Sequence, residues 1–155
     1  MIKPLFVMII VSVALSGGCA MLPTRQGEPS APAYQVGDRG PSGGTVIHDK
    51  GVLSDQWRYI EAAPLDLDYS MNWFFAREEA LQWEHGGYED WRLPTLEELR
   101  GMYELRETIG AFSRHGYWSA SEDGVTRAWE IRFDAGQETS AYKYTYSRVR
   151  AVRAF

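Results

Sequence analysis

Residues 86–99 read Gly-Gly-Tyr-Glu-Asp-Trp-Arg-Leu-Pro-Thr-Leu-Glu-Glu-Leu. This stretch predicts a glycine turn, a short extended segment and an abrupt helix start. Leu93 precedes a proline, which disfavours helical geometry at that residue. Thr95 and Glu98 have the spacing of a capping box, in which each side chain accepts a hydrogen bond from the backbone N–H of the other residue. We therefore expect a helix to begin at Leu96, and we expect Trp91 to be buried between that helix and a sheet.

The same stretch resembles the signature of the Lcl C-terminal domain family, a bacterial domain of unknown function. The residues of the stretch that carry the resemblance most clearly are Asp90, Trp91, Arg92, Leu93 and Pro94. Further blocks agree in order, at residues 37–44, 61–64, 117–122 and 148–155. The resemblance covers about residues 34–155 and implies a divergent C-type-lectin-like fold. It identifies Trp118 and Trp129 as further structural signature positions, but it says little about the ligand, because a fold does not fix a function.

Two helices are predicted on either side of the quoted stretch. Residues 70–85 and residues 96–105 each place apolar side chains at spacings of three and four, which indicates one buried helical face. The two faces are formed by Trp73, Ala76, Ala80 and Trp83, and by Leu96, Leu99, Met102 and Tyr103. We expect Asp68 or Ser70 to cap the first helix and Gly86 with Gly87 to end it.

Short strands account for most of the remaining pattern. They are predicted at residues 45–48, 57–62, 117–121 and 128–133, with one or more strands within 140–154 and a loop at 108–116. In the strand 128–133 we expect Trp129, Ile131 and Phe133 to face the core. The pattern as a whole predicts an α+β domain in which two helices pack on small antiparallel sheets.

The first 33 residues have the features of an export signal and a spacer. Lys3 and the apolar run 5–15 are followed by small residues directly before Cys19, which resembles a bacterial lipoprotein cleavage site. An ordinary secretory signal or an uncleaved anchor are the alternatives. We expect residues 1–18 to be a lipoprotein signal peptide, residues 19–33 a proline-rich spacer after a lipidated Cys19, and residues 34–155 the domain. Ala20 after the cysteine resembles lipoproteins of the outer membrane.

Composition excludes several kinds of chemistry. Cys19 is the only cysteine in the chain, so the exported domain has no disulfide, no cysteine nucleophile and no thiolate metal site. The formal net charge of −5 argues against nucleic-acid binding, which needs a basic surface, and weakens any expectation of binding sulfated polyanions.

Catalytic and metal-binding motifs are not evident in the sequence. The histidines, His48, His85 and His115, lie on separate predicted elements, and the Glu-Pro-Asn and Trp-Asn-Asp signatures of calcium-dependent lectins do not occur. The sequence contains no Gly-x-Ser-x-Gly elbow, and its carboxylates carry no context typical of a glycosidase. We therefore predict a protein that is not an enzyme and that binds no metal or cofactor. For Asp90 and Arg92 a structural role is favoured over a ligand-binding one.

A run near the C-terminus is the one candidate ligand-binding surface. Tyr142, Tyr144, Tyr146 and Arg148 fall on one parity of residues 140–154, where tyrosine rings could stack on sugars and a guanidinium could pair with acidic groups. The alternative is that the tyrosines form the buried face of an amphipathic strand. We expect a break in the alternation, with Tyr142 and Tyr144 partly buried and Arg148 paired with a carboxylate.

These features together predict a non-catalytic lipoprotein of the bacterial cell envelope. The N-terminal lipid would hold the protein at the outer membrane, and its C-type-lectin-like domain would bind a glycan or a protein partner. A structural or assembly factor of the envelope with no soluble ligand is the alternative, and a hydrolase is a weaker one.

Overall fold

Two antiparallel three-stranded sheets form the framework of residues 33–155, the part of the chain that the computed structural model describes. The strands are β1 (Thr45–Ser54), β2 (Trp57–Ala62), β3 (Gly116–Glu122), β4 (Arg127–Arg132), β5 (Gln137–Tyr142) and β6 (Val152–Ala154). The helices are α1 (Trp73–Gln82), α2 (Leu96–Glu104) and the short α3 (Arg106–Ile109). The predicted α+β class with small antiparallel sheets is confirmed. The predicted signal peptide and nearly all of the predicted spacer, including Cys19, lie outside the described residues.

The first sheet has the order β1-β2-β6, and the second has the order β3-β4-β5. β1 continues to Ser54, beyond the predicted end at His48, and its hairpin with β2 turns at Asp55 and Gln56. Both turn residues have positive φ, of 51° and 68°, which is the backbone conformation of a tight two-residue hairpin turn. A four-residue helix, α3, also replaces the first part of the loop predicted at 108–116.

Helix α1 is shorter at both ends than predicted. Asn72, and not Asp68 or Ser70, caps it by accepting a hydrogen bond from the Phe75 N–H at 3.1 Å. Met71 pairs as a β-bridge with Ser147, which holds the chain before the helix in an extended conformation. The helix ends at Gln82, before Gly86 and Gly87, because Trp83 adopts an extended backbone.

Helix α2 begins as predicted. The Glu98 N–H donates to Thr95 Oγ1 at 3.2 Å, and the Thr95 N–H donates to Glu98 Oε2 at 2.7 Å, so the capping box is complete. Arg92 forms a two-pronged pair with the same carboxylate, at 2.7 and 2.6 Å. Burial acts to raise the pKa of the Glu98 carboxyl, but the Arg92 guanidinium and the Thr95 hydrogen bonds outweigh it and hold that pKa below its usual value. The pair between Arg92 and Glu98 thereby joins the extended segment to the start of α2.

The buried side chains form two clusters. Trp91 is only 1% exposed, as predicted, and its ring lies 5.1 Å from that of Trp83 in an edge-on arrangement. It belongs to the cluster that includes the α1 residues Trp73 and Ala76, whereas the α2 side chains belong to the other cluster. The expected position of Trp91 against the second helix is therefore wrong, because α1 supplies the face that covers it.

An ion-pair network formed by buried Arg153 and Glu61 and exposed Asp90 ties the end of the chain to β2 and to the stretch 86–99. Arg153 in β6 donates to Glu61 at 2.9 Å and to both oxygens of Asp90, at 2.7 and 3.0 Å. The glycine loop at 40–44 packs directly on Glu61, since a Cβ atom at Gly40 would lie 1.9 Å from its carboxylate. Only glycine fits at position 40, because the Glu61 carboxylate approaches it so closely. Asp90 has a structural partner in Arg153.

The predicted inward face of β4 is only partly correct. Ile131 and Phe133 are buried, but Trp129 is half-buried and its neighbour Ala128 is fully buried. The pairing between β3 and β4 shifts register between Trp118 and Glu122, with the extra residues in β3, whereas β4 pairs with β5 without interruption.

Candidate binding surface

Five exposed aromatic side chains lie around the start of α1. Tyr69 precedes the helix, Phe74 and Phe75 lie in its first turn, and Tyr144 and Tyr146 lie in the segment after β5. They are between 47% and 72% exposed, which is unusual for rings of this size. The Phe74 and Tyr144 ring centroids are 5.4 Å apart. We call these five residues the aromatic surface.

A shallow groove runs through the aromatic surface. It has a volume of about 240 Å³, and its lining includes the rings of Tyr69, Phe75 and Tyr146. Its remaining walls are formed by Ser70, Met71, Asn72 and Glu79. The volume is below the roughly 300–1,000 Å³ of pockets that enclose drug-sized molecules. The groove therefore suits one ring-sized group of a ligand whose remainder stays outside.

Backbone hydrogen bonds fix the tyrosine segment against the start of α1. The Met71 N–H donates to the Ser147 carbonyl at 3.0 Å, and the Ser147 N–H donates to the Met71 carbonyl at 3.1 Å. The Trp73 N–H donates to the Lys143 carbonyl at 2.9 Å. These bonds bracket Tyr144 and Tyr146, so both rings project from a backbone that is held at each end.

Lys143 secures the same segment from beneath. Its side chain is buried, and its ammonium lies 4.6 Å from the centre of the Trp73 ring. The ammonium donates to Glu122 and to the Val125 carbonyl, the latter at 2.9 Å. The hydrogen bond from Lys143 lowers the pKa of the Glu122 carboxyl. Lys143 is thus a positioning residue, and its charge is not available to a ligand.

Two tryptophans anchor the aromatic surface to the second sheet. The Trp118 indole N–H donates to the Met71 carbonyl at 2.9 Å, and the Trp73 indole N–H donates to the Ser119 carbonyl at 2.8 Å. Both rings are buried. The signature residue Trp118 therefore supports the groove from the interior.

The structure corrects the prediction made for the tyrosine–arginine run. Tyr142 and Tyr144 are exposed, not partly buried, and Arg148 is half-buried without an ion pair among residues 33–155. β5 ends at Tyr142, and a turn closed by the Thr145 N–H on the Tyr142 carbonyl follows it. Because the segment is not a continuous strand, Arg150 can be buried although the tyrosines on its parity are exposed.

Sequence patterns identified only part of the aromatic surface. Tyr144 and Tyr146 were candidates, and Tyr146 lines the groove while Tyr144 packs on Phe74. Tyr142 lies apart, under the Arg127 guanidinium at 4.4 Å. Tyr69, Phe74 and Phe75 were missed. The sequence did hold a signal for the two phenylalanines, since Phe74 and Phe75 lie off the helical face that buries Trp73, Ala76 and Ala80.

A larger groove of about 420 Å³ lies between α2 and the first sheet. Its charges are mostly paired within the protein: Arg100 binds Glu97 at 2.7 Å and Glu98 binds Arg92. His48 supplies its only ring. The aromatic surface is therefore the stronger candidate.

Within residues 33–155 no three acidic, histidine or cysteine side chains are placed to hold a metal ion, and no helix there is long and apolar enough to cross a membrane.

Comparison with known proteins gives a family. The family model described as the Lcl C-terminal domain matches residues 45–153, a range that contains the whole aromatic surface. No curated protein matches the chain.

Proposed function

Because the chain belongs to the Lcl C-terminal domain family, whose function is unknown, we propose from its own surface that it is a non-catalytic glycan-binding protein. The ligand stacks a sugar ring on the aromatic surface and enters the groove beside it. The observation that carries this proposal is the exposure of five neighbouring aromatic side chains, three of which line one groove.

The groove combines aromatic rings with polar side chains, and a sugar needs both. The face of a pyranose ring carries C–H groups that pack on an aromatic ring, while its hydroxyl groups need hydrogen-bonding partners. The groove offers both, since Ser70, Asn72 and Glu79 lie beside three rings. No hydroxyl of Tyr69, Tyr144 or Tyr146 bonds to another residue within 33–155, so all three can bond to a ligand.

Preorganisation supports the same proposal. The tyrosine segment is fixed by backbone bonds to Met71 and Trp73 and by buried Lys143. A ligand that binds there does not have to order this backbone, which removes part of the entropic cost of association. An envelope assembly factor could also use exposed aromatic residues, as protein interfaces do. The ring-sized groove, whose mostly apolar walls include the polar residues Ser70, Asn72 and Glu79, favours the glycan.

We further propose that the domain is C-type-lectin-like and is carried on a lipoprotein of the bacterial cell envelope, anchored in the outer membrane. Residues 1–18 would be the signal peptide, Cys19 the lipidated residue and residues 19–33 the spacer. The apolar run before small residues and a cysteine supports this proposal.

Replacing Tyr144 and Tyr146 with alanine tests the proposed function. We expect detergent-solubilised full-length protein to bind at least one class of oligosaccharide on a glycan array. The double variant should lose about tenfold or more in affinity, roughly 1.4 kcal/mol, because stacking is removed. The temperature of unfolding should change little, since both side chains are exposed.

Leu53→Ala is the matched control, because Leu53 is a similarly exposed apolar side chain on the β1–β2 hairpin. It should leave binding unchanged. Absence of any glycan binding, together with co-purification of envelope proteins, would favour the assembly factor instead.

Changing Cys19→Ala tests the anchor. A thiol is required for lipidation, so this variant should leave the membrane fraction or fail to mature. Cell fractionation and mass spectrometry of the protein measure both outcomes. A variant that stays in the membrane fraction, with unchanged mass, would show that Cys19 is not lipidated.

A further inference from the structure

The groove of the aromatic surface contains one charged side chain, Glu79. Glu79 lies on α1 and is half-buried. It forms no ion pair with any residue in the described part of the chain. Its carboxylate is therefore free to meet a positive group of a ligand.

The cations near this surface lie outside the groove lining. Lys143 is buried and bonded to Glu122. The Arg77 guanidinium lies over the Trp73 ring at 4.8 Å, and that of Arg127 lies over the Tyr142 ring. Arg148, which forms no ion pair within residues 33–155, follows Tyr146 by two residues in the chain. None of these four side chains lines the groove. A sulfate or carboxylate group on a ligand in the groove would thus meet a carboxylate and no cation of the groove lining.

Aromatic rings beside a carboxylate form a site for an ammonium group. The face of an aromatic ring is negative and attracts cations within about 6 Å of its centre, and aromatic cages recognise alkylated ammonium groups in this way. Tyr69, Phe75 and Tyr146 supply three rings in the groove that Glu79 lines. The net charge of −5 favours a cationic ligand as well.

We infer that the groove binds an amino sugar, with the free ammonium group of a hexosamine paired to Glu79 and its ring packed on Tyr146 and the neighbouring aromatic side chains. This inference rests on the proposed function and adds the chemical class of the ligand. The free amine distinguishes the ligand from an N-acetylated sugar, which carries no charge, and from uronic or sulfated sugars, which carry the opposite one.

Three oligosaccharides of equal length test this inference: a glucosamine oligomer, its fully N-acetylated counterpart and a uronic acid oligomer. Calorimetric titration of the full-length protein in detergent should give the tightest binding for the free amine, about five- to tenfold tighter than for the N-acetylated form. The Glu79→Gln variant should lose that preference while it keeps its affinity for the N-acetylated form. Glu78→Gln, the matched control at an exposed neighbouring position outside the groove, should keep the preference.

Each other outcome has a distinct meaning. Equal binding of the amine and N-acetylated oligomers, unaffected by Glu79→Gln, would overturn the inference and leave the proposed function standing. Tightest binding of the uronic acid oligomer would also overturn it. A lysine-containing peptide that binds more tightly than the amino sugar would show that the ammonium belongs to a protein. No binding of any oligosaccharide would overturn the proposed function, and the inference with it.

Discussion

Replacing Trp91 with alanine is expected to lower the free energy of unfolding by about 3–5 kcal/mol, the range for a large aromatic side chain removed from a core. Trp91 is 1% exposed, packs edge-on against Trp83 and donates from its indole N–H to the His85 carbonyl at 3.3 Å. The alanine variant leaves a cavity in the cluster that also contains Trp73 and Trp118. Denaturant unfolding followed by circular dichroism measures the loss.

Thr95→Ala provides the comparison for Trp91→Ala. It removes the acceptor of the Glu98 N–H at the start of α2 and should cost about 1 kcal/mol. Similar, small losses for the two variants would contradict the burial of Trp91. They would also reopen the possibility that this signature residue contacts a ligand.

Replacing Arg150 with methionine is expected to be comparably destabilising, by about 3–5 kcal/mol, because it breaks a buried ion pair. Arg150 is fully buried, and its guanidinium donates to Asp66 at 2.7 Å and to the carbonyls of Ala63 and Ala111, at 3.1 and 2.9 Å. Methionine fills much of the same volume but leaves these acceptors without a donor. Asp66 would keep only the hydrogen bond from the Tyr117 hydroxyl.

An exposed ion pair is the matched control for Arg150→Met. Arg132 pairs with Asp134 at 3.0 Å, and half of its side chain is exposed to solvent. Arg132→Met should cost about 0–1 kcal/mol. The double variant with Arg150→Met and Asp66→Asn should recover part of the lost stability, because no unpaired charge remains. A loss for Arg150→Met as small as that for Arg132→Met would show that the buried pair contributes little.

Elements set by short-range interactions were predictable from the sequence. The capping box needs only Thr95 and Glu98, three residues apart, and α2 starts where that spacing places it. The alternation that buries Ile131 and Phe133 is also local, although it fails at Trp129, which is half-buried. These patterns succeed because the atoms that satisfy each other are close in the chain.

Elements set by long-range contacts were not predictable in the same way. α1 begins at Trp73 because Met71 is held in a bridge to Ser147, which lies far away in sequence. The tyrosine segment leaves strand geometry because the Lys143 carbonyl and ammonium both bind distant groups. Neither contact has a signature in a single sequence. The aromatic surface was therefore found only in part, since it joins α1 to that segment.

The central claim is that a sugar ring packs on the aromatic surface. Nuclear Overhauser contacts between the carbon-bound protons of a bound oligosaccharide and the protein's aromatic protons test it most directly. We expect contacts to the rings of Tyr144, Tyr146 and Phe75, with upfield shifts of the sugar protons that lie over those rings. Contacts confined to Ile47 and Gly101 in the groove beside α2, with no change at the tyrosine rings, would contradict the claim.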